Sequence, residues 1–194
     1  MITAQQIKEL RDKTGAGISD IKQALEASKG DVTRATEIIE RKLGVAGTLR
    51  AGRVTSAGII ESYIHSNSRM GVLVELLCET DFVARNPLFK EFAHDLALHV
   101  AAMRPLYLSL DSIPPDAWAR EKDRFAEEAG ALKKPQHIID QIVDGKLKAH
   151  FGAETLLEQP FVKDQDKSVG DVINETIGKF GENIRVGRFA RLEI

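Results

Sequence analysis

Among the side chains in this sequence that could act as nucleophile, general base or metal ligand are one cysteine and five histidines. Cys78 and His65 could face one another across a hairpin as a thiol–imidazole pair, the arrangement that makes a thiolate nucleophile. No third group is in view to orient the imidazole, and no oxyanion site accompanies it. Cys78 also continues the apolar alternation of Val72, Val74 and Leu76, which is a packing role. His94 and His99 stand five apart on a helical pattern, so they do not share a face as metal ligands would; they read as surface and boundary positions. Carboxylates are scattered rather than paired. The phosphate loop G-x-x-x-x-G-K-[ST], the dinucleotide turn G-x-G-x-x-G, the G-x-S-x-G elbow and H-E-x-x-H are all missing from the sequence. The expectation is therefore a protein without a catalytic residue, a metal site or a cofactor.

The segment Glu79-Thr80-Asp81-Phe82-Val83-Ala84-Arg85-Asn86 carries a different signal. Phe82 falls in a polar connection, where an aromatic ring is either tucked into its own core or offered to a partner. On residue chemistry both remain open: Phe82 can anchor the loop while Thr80 or Asp81 caps a turn.

The elements around it follow from periodicity. Thr3 with Gln6 forms a capping box ahead of Ala4, Ile7 and Leu10. Ile18, Ile21 and Leu25 resume helical spacing, and Lys29-Gly30 stops it. Asp31 caps a third helix with Ala35, Ile38, Ile39 and Leu43 on one stripe, ending at Gly44. Residues 1–44 thus predict a three-helix bundle, small enough to serve as a docking module on something larger. Residues 45–57 read as a linker. From Arg41 to Arg53 there are four basic and no acidic side chains, either a solvated connection or a weak contact to RNA or an acidic partner. Residues 58–194 predict an α+β unit. Ile59–His65 and Met70–Cys78 make a hairpin. Asn86-Pro87 starts a helix whose Phe89, Phe92, Ala93, Leu96, Val100 and Met103 face a core. Helices follow from Pro114-Pro115 and after Lys134-Pro135. Leu156–Val162 reads as an edge strand broken by Pro160, and Ser168 with Asp171 opens a last helix. The final strand, Ile184–Ile194, places Ile184, Val186, Ala190, Leu192 and Ile194 on one side. The fold class is α+β: a small antiparallel sheet with helices packed on it.

Composition sets the setting. The chain has 194 residues, 27 basic against 29 acidic side chains and a formal net charge of −2, which disfavours direct nucleic-acid binding as the main task. No apolar run approaches the roughly 20 residues of a membrane span, and Met1–Gln6 has neither basic flank nor hydrophobic signal core. One cysteine leaves no intrachain disulfide. A reduced, cytoplasmic setting fits.

With these elements in place, the sequence resembles the elongation factor Ts family. Lys8-Glu9-Leu10-Arg11, Thr14-Gly15-Ala16-Gly17 and Asp20-Ile21-Lys22-Gln23-Ala24-Leu25 resemble that family's opening ubiquitin-associated-like bundle. Gly71-Val72-Leu73-Val74-Glu75 leads into the T-D-F-V signature at Thr80, Asp81, Phe82 and Val83. Gln159-Pro160-Phe161-Val162 and Gly181-Glu182-Asn183-Ile184 through Arg188-Phe189 fit its C-terminal half. The resemblance runs from Lys8 to Glu193, without the coiled-coil insertion of longer members, and Ile18-Ser19 stand where the family often has two bulky residues. It implies an exchange factor that binds elongation factor Tu, GDP-bound and nucleotide-free, and promotes GDP release and GTP loading by displacing the magnesium ion. Thr80, Asp81, Phe82 and Val83 would form the wedge, with Ile18, Ser19 and His65 as secondary contacts. A homodimer is expected, because the short core offers one copy of what longer relatives carry twice. The competing reading is an adaptor in which the bundle binds and the α+β part is scaffold.

Overall fold

The computed structural model describes residues 2–50, 52–132 and 134–194; Ala51, in the predicted linker, lies outside them. The N-terminal bundle is built from α1 (Ala4–Thr14), α2 (Ile18–Ala27) and α3 (Val32–Thr48). The starts of α1 and α3 have the local chemistry their sequence announces. Thr3 and Gln6 close a reciprocal capping box, and the Asp31 carboxylate accepts from the Arg34 amide at 3.1 Å. Gly15 ends α1 with φ +67°, a conformation that favours glycine. Leu10, Ile21, Leu25, Ala35, Ile39 and Leu43 form the bundle's own core.

The third helix does not stop at Gly44. It runs on to Thr48, so the boundary drawn at 44 falls inside α3. The reason is a second surface to pack on. Gly47 and Gly178 let α3 lie backbone-to-backbone along α8 (Val169–Phe180): a Cβ on Gly178 would sit 2.6 Å from the Leu43 carbonyl oxygen, and one on Gly47 would strike the Asn174 backbone. Lys167 closes this crossing, its ammonium 2.8 Å from Glu175 and 3.2 Å from Glu40. Burial alone would lower the Lys167 pKa, but the hydrogen bonds and charges of Glu175 and Glu40 outweigh it and hold it above its ordinary value.

The larger unit centres on a three-stranded antiparallel sheet of β1 (Ala57–Ile64), β2 (Met70–Cys78) and β5 (Ile184–Glu193), with β2 in the middle. Val72, Val74, Leu76 and Cys78 point inward against α5 (Pro87–Met103) and α8, as the alternation requires. The Asn86 side chain caps α5 by accepting from the Leu88 amide at 2.9 Å. Met103, placed on the core stripe from sequence, is 41% exposed at the helix end, where Arg104 turns left-handed.

Two strand expectations change. A bulge opposite Glu75 inserts an extra residue into β5, because Val74 pairs with Phe189 but Leu76 with Val186. One extra residue exchanges the faces. Ile184 and Val186 remain inside, whereas Ala190, Leu192 and Ile194 turn outward and Phe189 packs on the core. The segment read as a strand over 156–162 is a 3-10 turn (Leu156–Glu158) followed by a two-residue strand, β3 (Pro160–Phe161), paired with β4 (Asp164–Ser168).

Between these parts, α6 (Pro115–Gly130) and α7 (Gln136–Glu154) pair as an antiparallel arm: Trp118 stacks on Phe151 at 4.7 Å, and Lys146 reaches Glu128 at 2.6 Å. They hold a separate cluster of Phe125, Ala129, Val143, Leu147 and Phe151. The chain therefore has a helical hairpin of its own, where the sequence suggested no such arm.

His99 is the other correction. It is fully buried rather than a boundary residue. The Val162 amide donates to its Nδ1 at 3.1 Å, so Nε2 carries the proton and donates to Gln159 Oε1 at 2.9 Å. Burial pushes its pKa down, opposed by the Gln159 hydrogen bond. His94, by contrast, is half exposed beside Glu61, as expected. No helix among the described residues is long and apolar enough to cross a membrane.

Candidate partner-binding site

The β2 strand ends at Cys78, and the chain leaves the sheet through α4 (Asp81–Arg85) before Asn86 caps α5. Five residues are too few for a helix to be stable alone, so α4 depends on what holds it. Val83 and Ala84 are buried in the main core beneath it. Phe82 points the other way and is 84% exposed. An aromatic side chain left in water forgoes roughly 1.5–3 kcal/mol of burial. That exposure removes Phe82 from the set of loop anchors. Asp81 is also exposed and pairs with Arg85 one turn on, at 2.9 Å.

Thr80 occupies the N-cap position of α4 but does not cap it with its side chain. Its hydroxyl donates to Glu182 Oε1 at 2.6 Å and its amide to Glu182 Oε2 at 3.0 Å. Next to it the Glu79 carboxylate accepts from the Asn183 amide at 2.6 Å, and Asn183 in turn donates to the Arg53 carbonyl at 2.6 Å. Cys78 is buried behind this turn, its Sγ–H donating to the Thr80 carbonyl at 3.1 Å. Burial, then the nearby Glu182 charge, raises its pKa, so it stays a thiol.

The other site residues divide. Ile18 (48% exposed) and Ser19 open α2, just after the Gly15 turn. That turn packs against Lys179 of α8 and lines a cleft of about 700 Å³ together with Asn86 and Leu88 at the start of α5. The α1–α2 corner and the α4–α5 junction thus border one cleft, and Leu88 is exposed at its side. His65 lies at the other end of the hairpin, where its Nδ1 meets the Tyr63 hydroxyl at 2.9 Å. Cys78 faces Ala57 across the sheet, eight positions from His65 along the chain, or about 26 Å at strand rise. The structure brings His65 together neither with Cys78 nor with Thr80–Val83. Glu79, Glu182 and Leu88 were not singled out from sequence; Glu182 sat in the quoted Gly181-Glu182-Asn183 run, but only the strand register brings it to Thr80. No group of three or more metal-ligating side chains occurs among the described residues.

Residues 3–177 match the family described as Elongation factor TS. Elongation factor Ts of Rubrobacter xylanophilus is 45% identical over 190 residues, which is 98% of this chain and 97% of that protein. The same-named protein of Thermotoga petrophila is 48% identical over 193 residues, 100% of this chain and 96% of its own. That of Carboxydothermus hydrogenoformans is 44% identical over 194 residues, covering 100% and 89%.

Proposed function

The chain belongs to the elongation factor Ts family, and from that premise we propose that it is a guanine-nucleotide exchange factor for elongation factor Tu. It engages the GDP-bound partner, promotes GDP release and departs when GTP loads. The observation that carries this reading is Phe82, 84% exposed on a turn braced from behind.

No bond need be made or broken, so no catalytic side chain is required. A bound guanine nucleotide is held by a phosphate cradle and a magnesium ion bridging phosphate to protein oxygens. Phe82 and Asp81 would enter the partner as a wedge and shift the elements that position the magnesium. Thr80 and Val83 would set the turn's direction, Val83 from its buried position. Ile18 and Ser19 would dock at a second contact across the cleft, and His65 at a third point on the hairpin tip. Because coupling between ligands is reciprocal, GDP with magnesium must weaken this factor's grip by the same factor that the factor weakens theirs. The setting would be the cytoplasm, where translation takes place.

We also place a homodimer within this reading. Ile60, Leu73 and Leu192 are exposed on the outer face of the sheet, opposite its packed side. A second copy laid face to face would cover them. The test of the function itself is the release of a fluorescent GDP analogue from elongation factor Tu. Catalytic amounts of this protein should accelerate release, and an unchanged rate would leave only an adaptor role.

A further inference from the structure

We infer that Glu182 is a positioning residue for the exchange turn, a latch that sets where Phe82 points. The inference rests on the function proposed above and concerns how the turn is held. The β2–β5 ladder ends with Cys78 opposite Ile184. Continued in the same register, the next opposed residues would be Glu79 with Asn183 and Thr80 with Glu182. They are bonded, but through side chains. The Glu79 carboxylate takes the Asn183 amide at 2.6 Å, and the Glu182 carboxylate takes the Thr80 amide at 3.0 Å and its hydroxyl at 2.6 Å.

Each carboxylate stands in for a backbone carbonyl that a continued strand would supply. A side chain reaches farther than a carbonyl, so the two chains separate while the Thr80 and Asn183 amides stay satisfied. That separation lets residues 81–85 leave the sheet as a helical turn. The Thr80 hydroxyl is turned toward Glu182 and makes no side-chain cap on α4. The latch is anchored in turn: Gly181 ends α8 with φ +73°, its amide bonded to Ile177 at 2.8 Å. Position therefore passes from α8, through Glu182 and Thr80, to Phe82.

The experiment compares Glu182→Ala, Glu182→Gln, Phe82→Ala and the double variant Phe82→Ala/Glu182→Ala. It reads amide hydrogen exchange in the free protein and GDP release from elongation factor Tu. Loss of a charge-assisted pair of hydrogen bonds should speed Thr80 amide exchange and slow GDP release, each by about tenfold in Glu182→Ala. Exchange within β2 and α5 should not change. Glu182→Gln keeps one acceptor for the Thr80 amide and offers a donor to its hydroxyl, so it should restore part of both. The double variant should lose less than the two single losses combined, because Glu182 and Phe82 act through the same turn. Unchanged protection of the Thr80 amide in Glu182→Ala overturns the latch, whatever the wild type does to GDP. A wild-type release rate in Glu182→Ala, or a second full loss on top of Phe82→Ala, overturns the positioning role. If the wild-type protein itself does not speed release, the proposed function falls while amide protection still decides the latch.

Discussion

A phenylalanine ring in water next to a well-packed core needs a reason, and at Phe82 the neighbours supply one. Val83 and Ala84 go down into the core, so the helical turn must carry position 82 outward. His99 shows the opposite commitment, with both ring nitrogens paired inside the protein. Its folded pKa lies below the ordinary 6.5, so on acidification the unfolded chain takes up the proton first. Stability should therefore be full above about pH 6.5 and fall as the pH drops from there toward the lower folded value. Denaturant titrations at several pH values should show that slope. His99→Gln should remove it while destabilising the protein by about 1–3 kcal/mol through unpaired partners. The difference between these residues explains what was legible. Asn86-Pro87 and Ser168/Asp171 were readable because cap and helix are neighbours in the chain. His99 was not, because Gln159 lies 60 positions away.

Elements were legible where their period is local and illegible where a partner resets it. The hairpin and α5 followed from alternation and from threefold and fourfold spacing. Nothing in β5 alone announces that two of its residues will face the single Glu75, yet that bulge exchanges the faces of everything after Val186. The α3 helix passed its apparent stop for a similar reason. Gly44 and Gly47 look like linker residues until α8 is laid beside them, when Gly47 becomes a point of backbone contact. This crossing makes a direct prediction. Gly178→Ala places a methyl 2.6–2.8 Å from Leu43 backbone atoms, and should destabilise the fold by about 1–3 kcal/mol. Gly130→Ala has open space around it and should be neutral or slightly stabilising in urea melts. Equal midpoints for the two variants would mean that α3 and α8 do not meet as described.

At the scale of the whole molecule, the three-helix bundle and the α+β unit are joined along α3 and α8, and face outward across a shared cleft. The uncovered sheet face makes one expectation concrete. Leu73→Glu should convert a dimer to a monomer in sedimentation at roughly tens of micromolar, a range in which a modest interface is still populated, with GDP release judged separately. A wild-type protein already monomeric there would remove the sheet face as an interface. The central claim is that the turn at Phe82 is an exchange surface and not part of the packing. It is tested most directly by measuring, on one preparation of Phe82→Ala, both thermal unfolding and fluorescent GDP release from elongation factor Tu. The account predicts stability within about 0.5 kcal/mol of wild type, and release slowed about thirtyfold or more, the effect of losing a ~2 kcal/mol hot spot. A variant that melts normally and still releases GDP at the wild-type rate would contradict it.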